Sequence, residues 1–149
     1  DMSAELTLSV VDQLGLATAV FEPQDPSQVT LSPRIRKEDG IVDWTQTASQ
    51  VACHVRAMQP WPKAVTWLHS GGHEPNRCLL PQVEVAAADS AAASRPGSIR
   101  FLDKTMEVSC GSGSVNVLKI QPEGKAAMDA RDFANGYGLS DDAHFAPAK

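Results

Sequence analysis

The residues best suited to binding chemistry begin with a short basic run. Three of the five residues from 33 to 37 are cations, namely Arg34, Arg36 and Lys37. Lys and Arg side chains hold phosphate groups, and each phosphate that they neutralise releases condensed counterions. Lys63 and Lys125 are further cations that we assign to the same surface. The sequence therefore predicts a phosphate-binding surface made of these residues.

Acidic and aromatic residues close to that run allow other interpretations. Glu38, Asp39 and Asp43 follow the cations directly, and runs of charge often form a solvated surface with no ligand. A solvated strip of mixed charge therefore stays open as an alternative. Trp44 and Trp61 could stack on nucleic-acid bases, but Trp side chains are highly buried on average, and we expect both rings to anchor the core.

Two further patterns have the spacing of a metal site or a phosphate loop. His69 and His73 are four residues apart, which suits zinc when both lie on one helix face. Two glycines between them disfavour a helix and no third ligand is nearby, so we expect a hairpin turn. Residues 110–113 lack the Lys-Ser/Thr end of a P-loop and separate two strands, so we expect a second hairpin turn. The sequence predicts neither a metal site nor a catalytic residue in this chain.

Length, charge and cysteine content limit the class of protein. The chain has 149 residues, which suits one domain, and a formal net charge of -5. Nucleic-acid-binding domains are usually basic, so this balance counts against such a role. Three widely spaced cysteines without a C-x-x-C pair argue against a disulfide framework and fit a reducing cytoplasm. Neither a signal segment nor an apolar run of about 20 residues is present, so we expect a cytoplasmic protein that does not cross a membrane.

The first half of the chain contains two predicted helices around an extended arm. Apolar spacing predicts a helix over residues 2–14, and a Pro- and Ser-rich segment at 23–29 predicts a linker. Residues 30–37 form an extended arm, and residues 41–43 a short strand. Thr47 and Gln50 form a capping box that opens an amphipathic helix. The prolines at 60 and 62 end that helix, because each removes a backbone donor and fixes φ.

The second half alternates short apolar runs with turn residues. We expect Leu79, Val83 and Val85 on the inner face of one strand, an Ala-rich loop at 87–95, a helix capped by Asp129 and closed at residues 135–136, and a loose polar tail from residue 140. The predicted strands cover residues 65–69, 77–86, 98–102, 105–110 and 114–121. Five or six short strands with one inserted helix predict a mainly β (α+β) fold, a small antiparallel barrel preceded by an N-terminal helix.

Five motifs in order resemble a known family. K-E-D-G-x-x-D-W at residues 37–44 and R-A-x-x-P-W-P at residues 56–62 are similar to the C-terminal domain of methionyl-tRNA formyltransferase. The P-G-x-I turn at 96–99, the V-x-x-G-x-G hairpin at 108–113, and the Q-P-x-G-K-x-x-M…F-x-N-G ending at 121–136 also resemble that family. The resemblance covers roughly residues 24–138.

The resemblance implies a fold, a partner and a division of labour. It implies an oligonucleotide-binding-like barrel at residues 30–149, a linker at 23–29, and a remnant of an upstream catalytic domain at 1–22. It implies that initiator methionyl-tRNA binds a positive face, which we assign to Arg34, Arg36, Lys37, Lys63 and Lys125. The family's cofactor, 10-formyltetrahydrofolate, would belong to the upstream domain, because this chain has no H-P-S-L-L-P-like stretch and is expected to be inactive alone.

Two other interpretations of the barrel remain open. Similar barrels follow catalytic domains that formylate sugar nucleotides or hydrolyse formylfolate, where this domain would be a structural appendage with no tRNA partner. A stand-alone interaction module that lacks a catalytic half is the other alternative. The net charge of -5 favours the structural appendage over a tRNA-binding role.

Overall fold

A computed structural model describes residues 2–87, 94–102, 105–139 and 142–147. The chain divides into two compact units, Asp1–Arg34 and Ile35–Lys149. Most of the predicted Ala-rich loop, together with residues 103–104 and the first two residues of the predicted tail, lies outside the described residues. Within the described residues, no helix is both long enough and apolar enough to cross a bilayer.

The first unit contains one long helix. α1 spans Met2–Gly15, which confirms the predicted helix. Residues 16–21 form a turn and coil rather than a strand, and a single 3-10 turn follows at Pro26–Gln28, where the Asp25 carboxylate accepts a hydrogen bond from the Ser27 N–H. From residue 3 to residue 34 no side chain is buried. The boundaries 1–22, 23–29 and 30–149 stay a prediction.

The second unit is built on one sheet of seven strands, all paired antiparallel in the order β3-β4-β5-β2-β1-β7, with β6 on β5. The strands are β1 Val65–His69, β2 Asn76–Val85, β3 Ile99–Leu102, β4 Thr105–Ser109, β5 Ser114–Pro122, β6 Met128–Asp129 and β7 His144–Ala146. The sheet curls until its two ends meet: the Phe145 N–H donates to the Gly97 carbonyl at 2.8 Å, and Ser98 pairs with His144. The predicted mainly β, nearly closed antiparallel barrel is confirmed, while its likeness to the oligonucleotide-binding fold stays a prediction.

The inserted helix α2, Ala48–Ala57, begins as the sequence predicts. The Thr47 side chain accepts from the Gln50 N–H, and the Gln50 side chain accepts from the Thr47 N–H, so each end of the capping box satisfies a backbone donor. Ala48, Val51 and Val55 are buried, and they face the barrel as one stripe.

The core lies between α2, α3 (Ala130–Tyr137) and the inner face of the sheet. Trp44 is buried, as predicted, and its indole N–H donates to the Thr66 hydroxyl at 3.0 Å. Its ring stacks on Phe145 with centroids 5.6 Å apart. Burying an apolar side chain of this kind contributes about 1.5–3 kcal/mol relative to exposure, so the Trp44–Phe145 pair joins the inserted segment firmly to the last strand.

Two predictions about the C-terminal region are wrong, and a third is confirmed in part. The described tail is not loose, because β7 pairs with β1 and buries Phe145. α3 does not close at residues 135–136 but continues to Tyr137, where Gly138 takes the left-handed conformation with φ 53°. Asp129 occupies the N-cap position of α3, as predicted, but its side chain makes no cap hydrogen bond and forms an ion pair with Lys119 at 2.9 Å.

Two strand predictions also need correction. Residues 41–43 form no strand, and Ile41 makes a single parallel bridge to Val65. In β2 the fully buried residues are Cys78 and Leu80, and Val85 is 49% exposed. The pairing of β2 with β5 shifts register between Leu79 and Gln82, so a simple alternation of sides could not hold along the strand.

Candidate nucleic-acid interface

The predicted basic run enters a single 3-10 turn at Glu38–Gly40. The Asp39 carboxylate accepts a hydrogen bond from the backbone N–H of Arg36 at 2.6 Å, and the Gly40 N–H donates to the Lys37 carbonyl at 3.2 Å. The carboxylate of Asp39 therefore holds the backbone in place. The side chains of Arg36 and Lys37 point from a fixed turn and are both exposed.

Asp43, a second acidic neighbour, is also engaged by the backbone and by polar side chains. Its carboxylate accepts hydrogen bonds from the Thr45 hydroxyl at 2.6 Å, the Thr45 N–H at 3.0 Å and the Gln46 amide at 2.8 Å. The hydrogen bond from the Thr45 hydroxyl contributes most to holding the pKa of Asp43 below its usual value, and the bond from Gln46 contributes next, because both favour the ionised form. Two of the three acidic residues beside the cations thus have a structural role.

The fold brings Lys63 to the same neighbourhood. Gly40 is buried, and a Cβ at this position would collide with the Lys63 carbonyl oxygen, so only glycine permits the contact. Two residues further on, the Val42 N–H donates to the Val65 carbonyl at 2.9 Å. These contacts hold residues 36–40, which we call the basic turn, against the segment that leads into β1. Lys63 lies in that segment with its side chain exposed.

The loop between α2 and Lys63 carries an exposed tryptophan. Trp61 is 52% exposed, so the prediction that it anchors the core is wrong. The peptide bonds before Pro60 and Pro62 are cis. The loop is held by hydrogen bonds and not by burial of the Trp61 ring. The Lys63 N–H donates to the Met58 carbonyl at 2.9 Å, and the Gln59 amide donates to the Leu80 carbonyl at 3.2 Å.

The remaining two predicted cations lie elsewhere. Arg34 is the last residue of the first unit and is exposed. Lys125 is exposed in the turn between β5 and β6, where its N–H donates to the Pro122 carbonyl at 3.1 Å. Next to it, Glu123 pairs with Arg77 at 3.5 Å, a cation that the sequence analysis did not single out. The structure joins Arg36, Lys37 and Lys63, and does not add Lys125 to that group.

Ion pairing separates the predicted cations from several others. Among the described residues, ion pairs join Arg77 to Glu123, Arg100 to Glu107 and Lys119 to Asp129. The five predicted phosphate-binding residues are Arg34, Arg36, Lys37, Lys63 and Lys125. None of their side chains makes an ion pair or a hydrogen bond with another residue that the structure describes. Their charges are therefore available to an anionic partner.

A buried carboxylate, Glu107, is not among the residues predicted from the sequence. Glu107 of β4 is only 3% exposed, and it contacts Arg100 at 3.2 Å and the hydroxyl of Ser114. These three residues tie β3, β4 and β5 together through charge-assisted hydrogen bonds. A glutamate in an apolar strand carries no local signal that distinguishes a buried ion pair from a solvent-facing position.

The His-x-x-x-His pattern forms a turn at the β1–β2 connection. The His73 N–H donates to the Ser70 carbonyl at 3.2 Å, which confirms the predicted turn. The His69 ring, at the end of β1, stacks on the His144 ring of β7 with centroids 5.1 Å apart. Within the described ranges, no group of three or more His, Cys, Asp or Glu side chains could hold a metal ion.

Residues 110–113 form the predicted hairpin turn between β4 and β5. The Cys110 N–H donates to the Gly113 carbonyl at 2.9 Å, and the Gly111 N–H donates to the Gln46 carbonyl at 2.8 Å. Burial raises the pKa of the Cys110 thiol to about 11 and that of the Cys78 thiol to about 12. Both thiols stay protonated near neutral pH, so neither is suited to act as a nucleophile.

Comparison with known proteins identifies the fold and then the family. Two solved structures of HypX from Aquifex aeolicus, one of a multiple-alanine variant and one with tetrahydrofolic acid, match with a TM-score of 0.53 and 17% sequence identity. They cover 93% and 89% of this chain, and the match spans 24% and 22% of the HypX chains. A family model described as the formyl transferase C-terminal domain matches residues 34–138, and the chain belongs to this family.

The curated relatives are longer enzymes. Methionyl-tRNA formyltransferase from Methylococcus capsulatus is 34% identical over 139 residues, which is 93% of this chain and 43% of the relative. Methionyl-tRNA formyltransferase from Chlamydia muridarum is 36% identical over 137 residues, which is 91% of this chain and 43% of the relative. The chain therefore spans less than half the length of these relatives, and the resemblance found in the sequence motifs is confirmed.

Proposed function

We propose that this chain is the tRNA-binding C-terminal domain of a methionyl-tRNA formyltransferase. In this proposal an upstream domain of the same protein transfers the formyl group from 10-formyltetrahydrofolate, and the barrel binds initiator methionyl-tRNA. The whole protein would act in the cytoplasm. Formyl transfer itself is assigned wholly to the upstream domain. The observation that carries the proposal is the set of five exposed cations that make no ion pair within the described part of the chain.

The arrangement of the cations supports RNA binding despite the acidic net charge. Arg36, Lys37 and Lys63 lie in adjoining segments, and the carboxylates of Asp39 and Asp43 keep their charge but accept hydrogen bonds from neighbouring groups and do not pair with these cations. Lys and Arg contacts to phosphate position a nucleic acid without reading its sequence. We therefore propose that the barrel grips the tRNA backbone, and that any selection of the initiator species comes from other contacts.

A salt titration tests this function. Binding of initiator tRNA to the chain should weaken as salt rises, with a log-log slope of roughly -0.7 to -0.9 for each phosphate contacted. Arg34→Ala, Arg36→Ala and Lys37→Ala together should lower the affinity and make the slope shallower by roughly 0.7 to 0.9 for each phosphate that is no longer bound. The matched control replaces Arg95, Lys119 and Arg131 by alanine, which removes the same charge from other parts of the chain.

The control separates a specific surface from bulk charge. If the two triple variants lose affinity equally, the basic turn has no special role in binding. If the chain binds initiator tRNA with no dependence on salt, or not at all at low salt, phosphate gripping by this domain is wrong.

A structural barrel without an RNA partner is the second candidate function. The net charge of -5 favours it, since long-range repulsion opposes the approach of a polyanion. This candidate predicts no measurable tRNA binding at low salt, where electrostatic attraction to a basic patch would be strongest.

A further inference from the structure

Trp61 is the most exposed large apolar side chain among the described residues of the second unit. It is 52% exposed, compared with 49% for Val85 and 43% for Ile35, and the next most exposed ring is Phe101 at 41%. A tryptophan side chain offers the largest ring in the protein and has few rotatable bonds, so a partner can use its surface at a low entropy cost. An indole left in solvent thus has the properties of a contact surface for a partner.

The backbone around Trp61 is held before any partner arrives. Pro60 and Pro62 fix φ on both sides of the residue. Gln59 is fastened to β2 through the Leu80 carbonyl, and the Lys63 N–H closes the loop on the Met58 carbonyl. An aromatic platform on a fixed loop needs little ordering when it binds, which favours its use as a stacking surface.

Cations lie near Trp61 in the chain and in the turn that packs on the Lys63 backbone. Lys63 is two residues away, with φ at 74°, a left-handed conformation that side chains rarely adopt. Gly40 packs on the Lys63 carbonyl, and Arg36 and Lys37 directly precede the turn that contains Gly40. These cations make no ion pair with other described residues. A protein partner that covered Trp61 would have to desolvate or pair these charges, whereas phosphates would pair them directly.

We propose that Trp61 stacks on an unpaired nucleobase of the bound RNA, while Lys63 holds an adjacent phosphate. This inference rests on the proposed function and adds a defined contact to it. Stacking on an aromatic side chain tolerates any base, because every base has a π-face. The site would therefore take single-stranded RNA in preference to a blunt duplex, whose bases are already stacked on one another.

The test compares two exposed rings in the intact chain. Trp61→Leu should weaken binding of initiator tRNA and of a single-stranded RNA oligonucleotide roughly tenfold, the loss typical of one stacked base. Phe101→Leu, which removes another exposed ring, should leave both affinities unchanged. Single-stranded RNA should quench tryptophan fluorescence in the unmodified chain, and Trp61→Phe, which retains an aromatic face, should abolish most of that quenching while keeping most of the affinity.

The possible results distinguish this inference from the proposed function. If tRNA binding is salt-dependent but Trp61→Leu binds as tightly as the unmodified chain, the stacking contact is wrong and the tRNA-binding function stands. The same conclusion follows if Phe101→Leu loses as much affinity as Trp61→Leu, or if a blunt RNA duplex quenches as strongly as single-stranded RNA. If the unmodified chain binds no RNA at low salt, both proposals fail together.

Discussion

Lys63 combines an unfavourable backbone conformation with a proposed role in binding. Its φ of 74° puts the Cβ close to the following carbonyl group, which costs a non-glycine residue roughly 1–2 kcal/mol. The side chain is exposed, so core packing does not explain why a lysine is present there. Strained residues often occur where function requires a particular side chain. The Lys63 ammonium group is the feature that a glycine would lack.

Two substitutions at Lys63 separate strain from charge. Lys63→Gly relieves the strain, so we expect the free energy of unfolding to rise by about 1 kcal/mol. Lys63→Ala keeps the strain and should leave the free energy of unfolding nearly unchanged. Both variants lose the ammonium group, so both should lower tRNA affinity and reduce the salt slope by about the same amount. Urea unfolding and a salt titration measure the two effects.

Each measurement at Lys63 has its own contrary result. A glycine variant that is no more stable than the alanine variant would show that the left-handed conformation is not a source of strain. Unchanged RNA binding in both variants would remove Lys63 from the proposed surface.

At the scale of elements, the last strand determines how the barrel closes. β7 pairs with β1 on one side and contacts the start of β3 through the Phe145 N–H and the Gly97 carbonyl. Gly97 has φ 86°, and a Cβ there would collide with the Phe145 carbonyl oxygen. This close approach allows the two ends of the sheet to meet, so the final strand is part of the barrel.

Phe145 tests that role. Its ring is 1% exposed and stacks on Trp44, so Phe145→Ala should leave a cavity and lower the free energy of unfolding by about 3–5 kcal/mol. Phe101→Ala, at a ring that is 41% exposed, is the control and should cost less than about 1 kcal/mol. Urea unfolding followed by tryptophan fluorescence measures both. Equal small losses in the two variants would mean that the tail is as loose as the sequence suggests.

The contrast between α2 and β7 shows which elements sequence patterns can predict. The Thr47–Gln50 capping box spans four residues, so its chemistry is complete within the local sequence, and the structure confirms it. β7 has only three residues, too few for a period to be visible, and it forms because a partner strand far away in the chain accepts it. The prediction of a loose tail therefore failed, because it missed a pairing between distant segments, whereas the prediction of where α2 begins succeeded.

The same reasoning applies to the candidate site. The cations could be selected by residue type, because Lys and Arg are the residues that hold phosphate. That Lys63 adjoins the turn after Lys37 depends on the Gly40 contact, which no spacing in the sequence shows. The exposure of Trp61 could not be predicted either, because prolines on both sides fix its backbone without specifying whether the ring faces the core or the solvent.

At the scale of the whole molecule, the buried side chains are divided unequally between the two units. Every buried side chain that the structure describes belongs to the second unit, and the family model matches residues 34–138. The first unit contains many exposed apolar residues on and after α1, such as Leu6, Val10 and Phe21. The barrel therefore has its own core, and we expect residues 35–149 to fold alone.

Removal of residues 1–34 tests this independence and isolates one phosphate contact. The free energy of unfolding should change by less than about 0.5 kcal/mol, because the deleted segment contributes no buried side chain among its described residues. The salt slope of tRNA binding should become shallower by about 0.7–0.9, because Arg34 is removed with the segment. Arg34→Ala in the intact chain is the matched control and should give the same change in slope. A large loss of stability on truncation would contradict an independent core. Arg34 is the only Lys or Arg in residues 1–34, so a change in slope on truncation that Arg34→Ala does not reproduce would contradict a phosphate contact at Arg34.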